Sequence, residues 1–197
     1  VAETAAKSNP ADLAALMNAT LAGSSDTVTE ALREKILTIG ENLSVRRFYR
    51  AEGVIATYIH GGGRIGVITE FEADDAVANT EAFAELGKDI SMQIAAMNPQ
   101  YLSRDTVDPA VIESEKSILV AQIKNDEKNK NKPDNIIEKM VIGRMGKFYE
   151  NNCLLQQAFV KNGDLSVEQY IAEEAKKAGG TMKVTDFVRF EKGEGIE

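Results

Sequence analysis

Two consecutive helical segments, each with a single apolar face, constrain the fold of this chain more than any other feature. The first begins at Asp108-Pro109, where aspartate is suited to cap the helix and proline fits the first helical position. Its apolar residues recur about one heptad apart: Val111, Ile112, Ile118, Leu119 and Ile123. The second begins at Pro133, and its apolar stripe consists of Ile137, Val141, Met145 and Phe148. Because only the polar residues 125–132 separate the segments, both stripes are buried only if the helices lie antiparallel. We predict a projecting antiparallel helical hairpin at residues 105–150.

The segments on either side of these helices predict a small antiparallel sheet. Residues 54–59 alternate with a period of two, Gly61-Gly62-Gly63 supplies a tight turn, and residues 65–68 resume an extended run. A third strand is predicted at residues 183–191. Helical spacing returns between these strands at Phe83, Leu86, Ile90, Ile94 and Met97. The predicted fold is therefore α+β, a small antiparallel sheet covered by helices, with the helical hairpin projecting from it.

Three more helices are indicated by their start and stop signals. The first is predicted over residues 9–21, because Pro10 suits a helix start. The second begins at the capping box Thr27–Glu30 and the third at the capping box Ser166–Gln169. Glycines follow the predicted ends at Gly23, Gly40 and Gly179.

The charge balance and the apolar patterning argue against several classes of protein. The 197 residues contain 23 Lys and Arg against 31 Asp and Glu, a net charge of −8 that disfavours nucleic acid and anionic membrane surfaces. No apolar stretch approaches the roughly 20 residues of a membrane span, so we expect a cytoplasmic protein. The single cysteine, Cys153, cannot form an internal disulfide. Because the chain starts with the polar stretch Val1-Ala2-Glu3-Thr4 and lacks an initiator Met, we expect a fragment.

Two motifs imitate enzyme signatures without the partners that the chemistry needs. Residues 61–66 fit the glycine pattern of dinucleotide sites, but a strand follows where a helix N-terminus must meet the pyrophosphate. His60 with the glycines after it imitates the oxyanion loop of esterases, yet the chain has no G-x-S-x-G nucleophile elbow. His60 is also the only histidine. We therefore expect neither an enzyme nor a cofactor.

One basic cluster could bind an anion. Arg46, Arg47 and Arg50 are suited to phosphate or carboxylate through bidentate hydrogen bonds. The alternative is a set of solvated charges compensated by Glu41 and Glu52.

Five segments together resemble the bacterial elongation factor Ts family, and they occur in that family's order. They are residues 40–47 (GENLSVRR), 60–67 (HGGGRIGV), 134–147 (DNIIEKMVIGRMGK), 154–160 (LLQQAFV) and 187–197 (FVRFEKGEGIE). The resemblance spans essentially the whole chain. It implies that residues 1–43 are the helical end of an N-terminal core subdomain and that residues 44–104 and 151–197 form a C-terminal core subdomain. Residues 105–150 would be a coiled-coil dimerisation module.

The resemblance also implies a function and a set of contact residues. Members of this family bind the GTPase elongation factor Tu in its GDP state and promote exchange of GDP for GTP, without covalent chemistry. By this resemblance, His60 and Gly61 contact the far domain of elongation factor Tu. Val1 and Ala2 correspond to the end of the family's exchange motif, Thr-Asp-Phe-Val-Ala, so we expect this fragment to bind but to exchange poorly. Residues 185–188 copy the letters TDFV, but we interpret them as part of the last strand.

Two alternatives remain open at the level of sequence. The chain could be a self-associating structural module that dimerises through the helical hairpin, whose apolar stripes leave surface to spare. Retention of elongation factor Tu after alteration of the loop 124–132 would separate that role from the exchange role. The second alternative, an esterase or nucleotide enzyme based on residues 60–66, lacks a catalytic partner.

Overall fold

The computed structural model describes residues 1–129 and 132–195, which form two compact units, Val1–Glu52 and Gly53–Glu197. Part of the predicted polar loop, residues 130 and 131, lies outside the described residues, as do the last two residues of the chain. None of the described helices is long and apolar enough to span a membrane.

The first unit contains three helices, α1 (Ala2–Ser8), α2 (Leu13–Asn18) and α3 (Val28–Ile39). The capping box that begins α3 is confirmed, because the Thr27 side chain accepts from the Glu30 N–H and the Glu30 carboxylate accepts from the Thr27 N–H. The helix predicted over residues 9–21 is wrong at its start. Asn9 adopts a left-handed conformation and ends α1, while the carboxylate of Asp12 accepts from Ala15 N at 2.8 Å and begins α2. A side-chain cap thus decides the start of α2.

The second unit is built on a three-stranded antiparallel sheet, and this confirms the predicted fold class. The strands are β1 (Val54–His60), β2 (Ile65–Ala73) and β5 (Met182–Glu191), in the order β1-β2-β5. Two short strands, β3 (Ala158–Phe159) and β4 (Asn162–Ser166), form a separate hairpin that the sequence pattern did not predict.

One face of the sheet is covered by helix α5 (Glu81–Met97), which follows the short helix α4 (Asp75–Ala78). The Thr80 side chain caps α5, and Asn98 ends it in a left-handed conformation. The core between helix and sheet joins Leu86, Ile90 and Ile94 to apolar residues of β2 and β5. Helix α8 (Val167–Ala178) packs into the same core, and its predicted capping box at Ser166 is confirmed.

The predicted helical hairpin is formed by α6 (Pro109–Asn125) and α7 (Asp134–Asn152). Its own small core consists of Leu119, Ile123, Ile137, Val141 and Met145. Ile118 was predicted to lie on the buried stripe, but its side chain is 48% exposed. Adjacent helical residues point about 100° apart, so burial of Leu119 turns Ile118 towards solvent.

Asp74, at the start of α4, ties α4 to the start of β5. Its Oδ2 accepts from the Thr181 backbone N–H at 2.6 Å and from the Thr181 hydroxyl at 2.9 Å. These bonds, the backbone one first, lower the pKa of the Asp74 carboxyl below its ordinary value of 3.8.

We expect this carboxylate to make stability depend on acidity. A carboxyl whose pKa is lower in the folded state stabilises the fold above its unfolded pKa, and this contribution disappears as pH falls through the folded pKa. Wild type should therefore be more stable than Asp74→Asn at neutral pH, and the difference should shrink below pH 3.8. Urea unfolding from pH 7 to pH 2.5 measures it. Asp105→Asn is the control, because the Asp105 carboxylate accepts no hydrogen bond within the described ranges. A wild-type advantage that is constant with pH would contradict the assignment.

Candidate partner-binding surface

The turn between β1 and β2 projects three consecutive glycines. Gly61, Gly62 and Gly63 have φ angles of 58°, 65° and 93°, a region that glycine adopts without steric cost. The His60 carbonyl closes the turn by accepting from Gly63 N at 3.2 Å and from Arg64 N at 3.0 Å. The turn is therefore a defined structure with its own hydrogen bonds.

The His60 side chain is exposed at this tip and is oriented by Tyr58. The Tyr58 hydroxyl lies 3.1 Å from Nδ1 of His60, and the two ring centroids are 5.9 Å apart. Within residues 1–129 and 132–195, the other ring nitrogen makes no hydrogen bond. The imidazole is thus positioned on one side and available to a partner on the other.

Ile59 adds an apolar contact next to His60. Its side chain is 67% exposed, because its cross-strand neighbour on β2 is Gly66, which has no side chain to cover it. The Arg64 side chain is exposed at the other end of the turn. We call Ile59, His60, Gly61 and Arg64 the hairpin-tip surface. It combines an apolar group, an imidazole and a guanidinium on a chain whose net charge is −8.

The structure also positions the remaining candidate residues. Val1 and Ala2 lie at the start of α1, where the Val1 carbonyl accepts from Ala5 N at 2.9 Å, and both are exposed. They belong to the first unit, whereas His60 and Gly61 belong to the second. A contact role for these four residues stays a prediction.

The arginine cluster is at least partly compensated within its own unit. Arg50 forms an ion pair with Glu52 and donates from Nε to the Ala6 carbonyl at 3.2 Å. This agrees with the interpretation of solvated, compensated charges for Arg50.

No site for covalent or metal chemistry accompanies these residues in the described part of the chain. Cys153 is buried, and its burial raises the pKa of the thiol, which disfavours the reactive thiolate. Among the described residues, no three His, Cys, Asp or Glu side chains are placed to hold a metal ion.

Comparison with known proteins identifies the family. The family model described as Elongation factor TS matches residues 1–194. The chain belongs to the elongation factor Ts family. Elongation factor Ts of Clostridium perfringens (strain 13 / Type A) is 46% identical over 200 residues, which cover 100% of this chain and 63% of the relative. The protein of the same name from Clostridium kluyveri (strain NBRC 12016) is 46% identical over 176 residues, covering 88% of this chain and 55% of the relative. That from Clostridium botulinum (strain Eklund 17B / Type B) is 48% identical over 174 residues, covering 87% and 55%.

The chain therefore spans between 55% and 63% of the length of these relatives. As a member of the elongation factor Ts family, it presents the segment 60–67 as the β1–β2 turn and the first residues of β2. Residues 185–188, which copy the letters of the exchange motif, lie in β5 and pair with β2, so their interpretation as a strand is confirmed. Sequence reasoning missed Ile59 as part of the surface. Its exposure depends on Gly66 lying opposite, which only the strand register reveals.

Proposed function

We propose that this chain is a guanine nucleotide exchange factor that binds elongation factor Tu in its GDP state and promotes replacement of GDP by GTP. Family membership supports the choice of partner. The observation that carries the proposal in the structure is the hairpin-tip surface, a hydrogen-bonded turn that exposes Ile59 and the His60 imidazole. We propose that the protein acts in the cytoplasm, as a binding protein without covalent chemistry or a cofactor of its own.

The mechanism of such a factor is thermodynamic linkage. A protein that binds the nucleotide-free GTPase more tightly than the GDP-bound form must weaken GDP binding by the same factor. Gripping a domain distant from the nucleotide supplies affinity, whereas exchange requires contacts that distinguish the two states of the GTPase. We assign the gripping role to the hairpin-tip surface. Binding and exchange are therefore separable, and the sequence predicts more of the first than of the second for this chain.

The test is release of fluorescent GDP from elongation factor Tu, followed after mixing with excess unlabelled nucleotide and increasing concentrations of this chain. We expect the His60→Ala variant to need roughly five to ten times more protein for the same effect, because loss of a central contact costs about 1 kcal/mol or more. Ile142→Ala, at an exposed residue of α7, is the matched control and should behave as wild type. Equal potency of His60→Ala and wild type would remove the hairpin tip from the binding site.

The alternative function is self-association through the helical hairpin. It is favoured by exposed apolar side chains on the outer faces of α6 and α7, with Ile142 71% and Ile118 48% exposed. In this case Ile142→Lys would abolish a dimer without affecting release of GDP.

A further inference from the structure

The outer edge of β1 is an unprotected strand edge. Among the described strands, β1 pairs with β2 alone, and its residues VIATYIH include no acidic residue, lysine, arginine or proline. The register against β2 is regular over all seven residues, whereas the β2–β5 pairing contains an irregularity at Glu70/Phe71. Edge strands of this length are normally protected by charges, proline or a bulge. The outward N–H and C=O groups of β1 therefore form a template for an added strand.

The side chains on the face of β1 away from α5 are apolar or neutral and are exposed. Ile55 is 38% exposed and Ile59 is 67% exposed, and Thr57 between them is exposed as well. On the other face, Ala56 lies close under α5, where a Cβ at Gly87 would come within 2.7 Å of it. The edge is thus accessible although one face of the strand is covered.

A groove runs along this edge. It has a volume of about 360 Å³ and is bordered by Ile55, Ala56 and Thr57 of β1 and by Phe83 and Ala84 of α5. Because successive side chains of a strand point to opposite faces, a groove that touches three consecutive residues must lie at the strand edge. It leaves space beside α5 for the side chains of an added strand.

We propose that the added strand is β1 of a second copy of this chain, paired antiparallel about a twofold axis through Thr57. Thr57 is the middle residue of β1, so this register pairs all seven residues. It places Ile55 opposite Ile59 of the second copy, and because of the symmetry it does so twice. It also places Ala56, at the groove, opposite Tyr58 of the second copy. Two three-stranded sheets thereby become one sheet of six strands.

The chemistry of the edge favours a second copy because the surface is complementary to itself. Cross-strand Ile–Ile pairs are favourable, and no side chain of β1 carries a permanent charge that would meet its own copy. A single strand pairing buries less area than a standard interface, so the dimer is weak, with a Kd of roughly 10 μM to 1 mM. The net charge of −8 on each copy opposes association, so high ionic strength should favour the dimer. This proposal is independent of the exchange function.

The twofold axis makes a sharp test possible, because Thr57 faces Thr57 of the second copy. Thr57→Lys and Thr57→Glu each place like charges directly opposite one another, so each variant alone should lose self-association by at least about tenfold in concentration. An equimolar mixture of the two variants should regain it, because lysine then faces glutamate. Sedimentation velocity up to roughly millimolar concentration, at low and high ionic strength, measures the oligomeric state in each sample. Recovery in the mixture also demonstrates that both variants are folded.

Ile142→Lys is the matched control and should self-associate as wild type does. The proposal is overturned if wild type stays monomeric throughout, if either Thr57 variant associates as wild type does, or if the mixture fails to recover. It is also overturned if Ile142→Lys alone abolishes the dimer, because the contact would then lie on the helical hairpin.

Discussion

Replacing Gln93 by leucine should lower the free energy of unfolding by about 2–4 kcal/mol, although leucine suits a buried helical position. Gln93 lies on α5, and its side chain is completely buried. Its Nε2 donates to Oε1 of Gln157 and to the carbonyl of Ala158, both at 3.1 Å, while its Oε1 accepts from Val160 N at 2.8 Å. The amide thus holds the β3–β4 hairpin against α5. Leucine would leave the Gln157 oxygen buried without this donor and would break both bonds to the β3 region.

Urea unfolding measures this loss. Gln122→Leu is the control, because Gln122 is an exposed residue inside α6, and the same change there should alter stability by no more than about 0.5 kcal/mol. A double-mutant cycle with Gln157→Leu isolates the pair, and we expect a coupling of at least about 0.5 kcal/mol. If Gln93→Leu unfolds at the same urea concentration as the control, the amide network does not hold this hairpin.

Replacing Gly87 by alanine should destabilise the protein by about 1–3 kcal/mol, even though alanine is the better helix former. A Cβ at Gly87 would lie 2.7 Å from Cβ of Ala56, and both residues belong to the tightly packed contact between α5 and β1. Neither atom is at the end of a flexible side chain, so the helix or the strand must move to relieve the clash. Glycine is therefore required by the close approach of helix and sheet, and not by its backbone conformation.

The matched control is Gly146→Ala in α7. A Cβ there would meet no atom within 4 Å among the described residues, so the change should stabilise the protein by about 0.5–1 kcal/mol through helix propensity alone. Thermal and urea unfolding of both variants compares the signs directly. Stabilisation by both substitutions would mean that α5 does not approach β1 as closely as the structure indicates.

Most of the fold could be predicted because local signals and burial agree. The capping boxes at Thr27 and Ser166 fix helix starts by hydrogen bonds between residues three apart, and such bonds can be recognised from sequence spacing. The helical hairpin followed from two apolar stripes and a short loop, because no other arrangement buries both stripes.

Other elements depend on contacts between residues that are distant in sequence. The β3–β4 hairpin is held by Gln93, more than 60 residues earlier, and the segment itself has no strong strand pattern. Helix α1 escaped prediction because its residues are mostly polar and exposed, and its end relies on the left-handed conformation of Asn9. Propensity and periodicity contain no information about such long-range bonds.

The candidate surface was predicted only in part, for a similar reason. Family resemblance indicated His60 and Gly61, and the glycines indicated a turn. The exposure of Ile59 follows from its register opposite Gly66, and the orientation of His60 follows from the bond to Tyr58. Both require the paired strands and not the strand sequence alone.

The most direct test of the proposed function is an equilibrium titration of this chain into elongation factor Tu, performed with the GDP-bound and with the nucleotide-free GTPase. We predict a saturable one-to-one complex with both forms, tighter for the nucleotide-free form, because exchange by linkage requires that difference. The absence of a complex with either form would contradict the account.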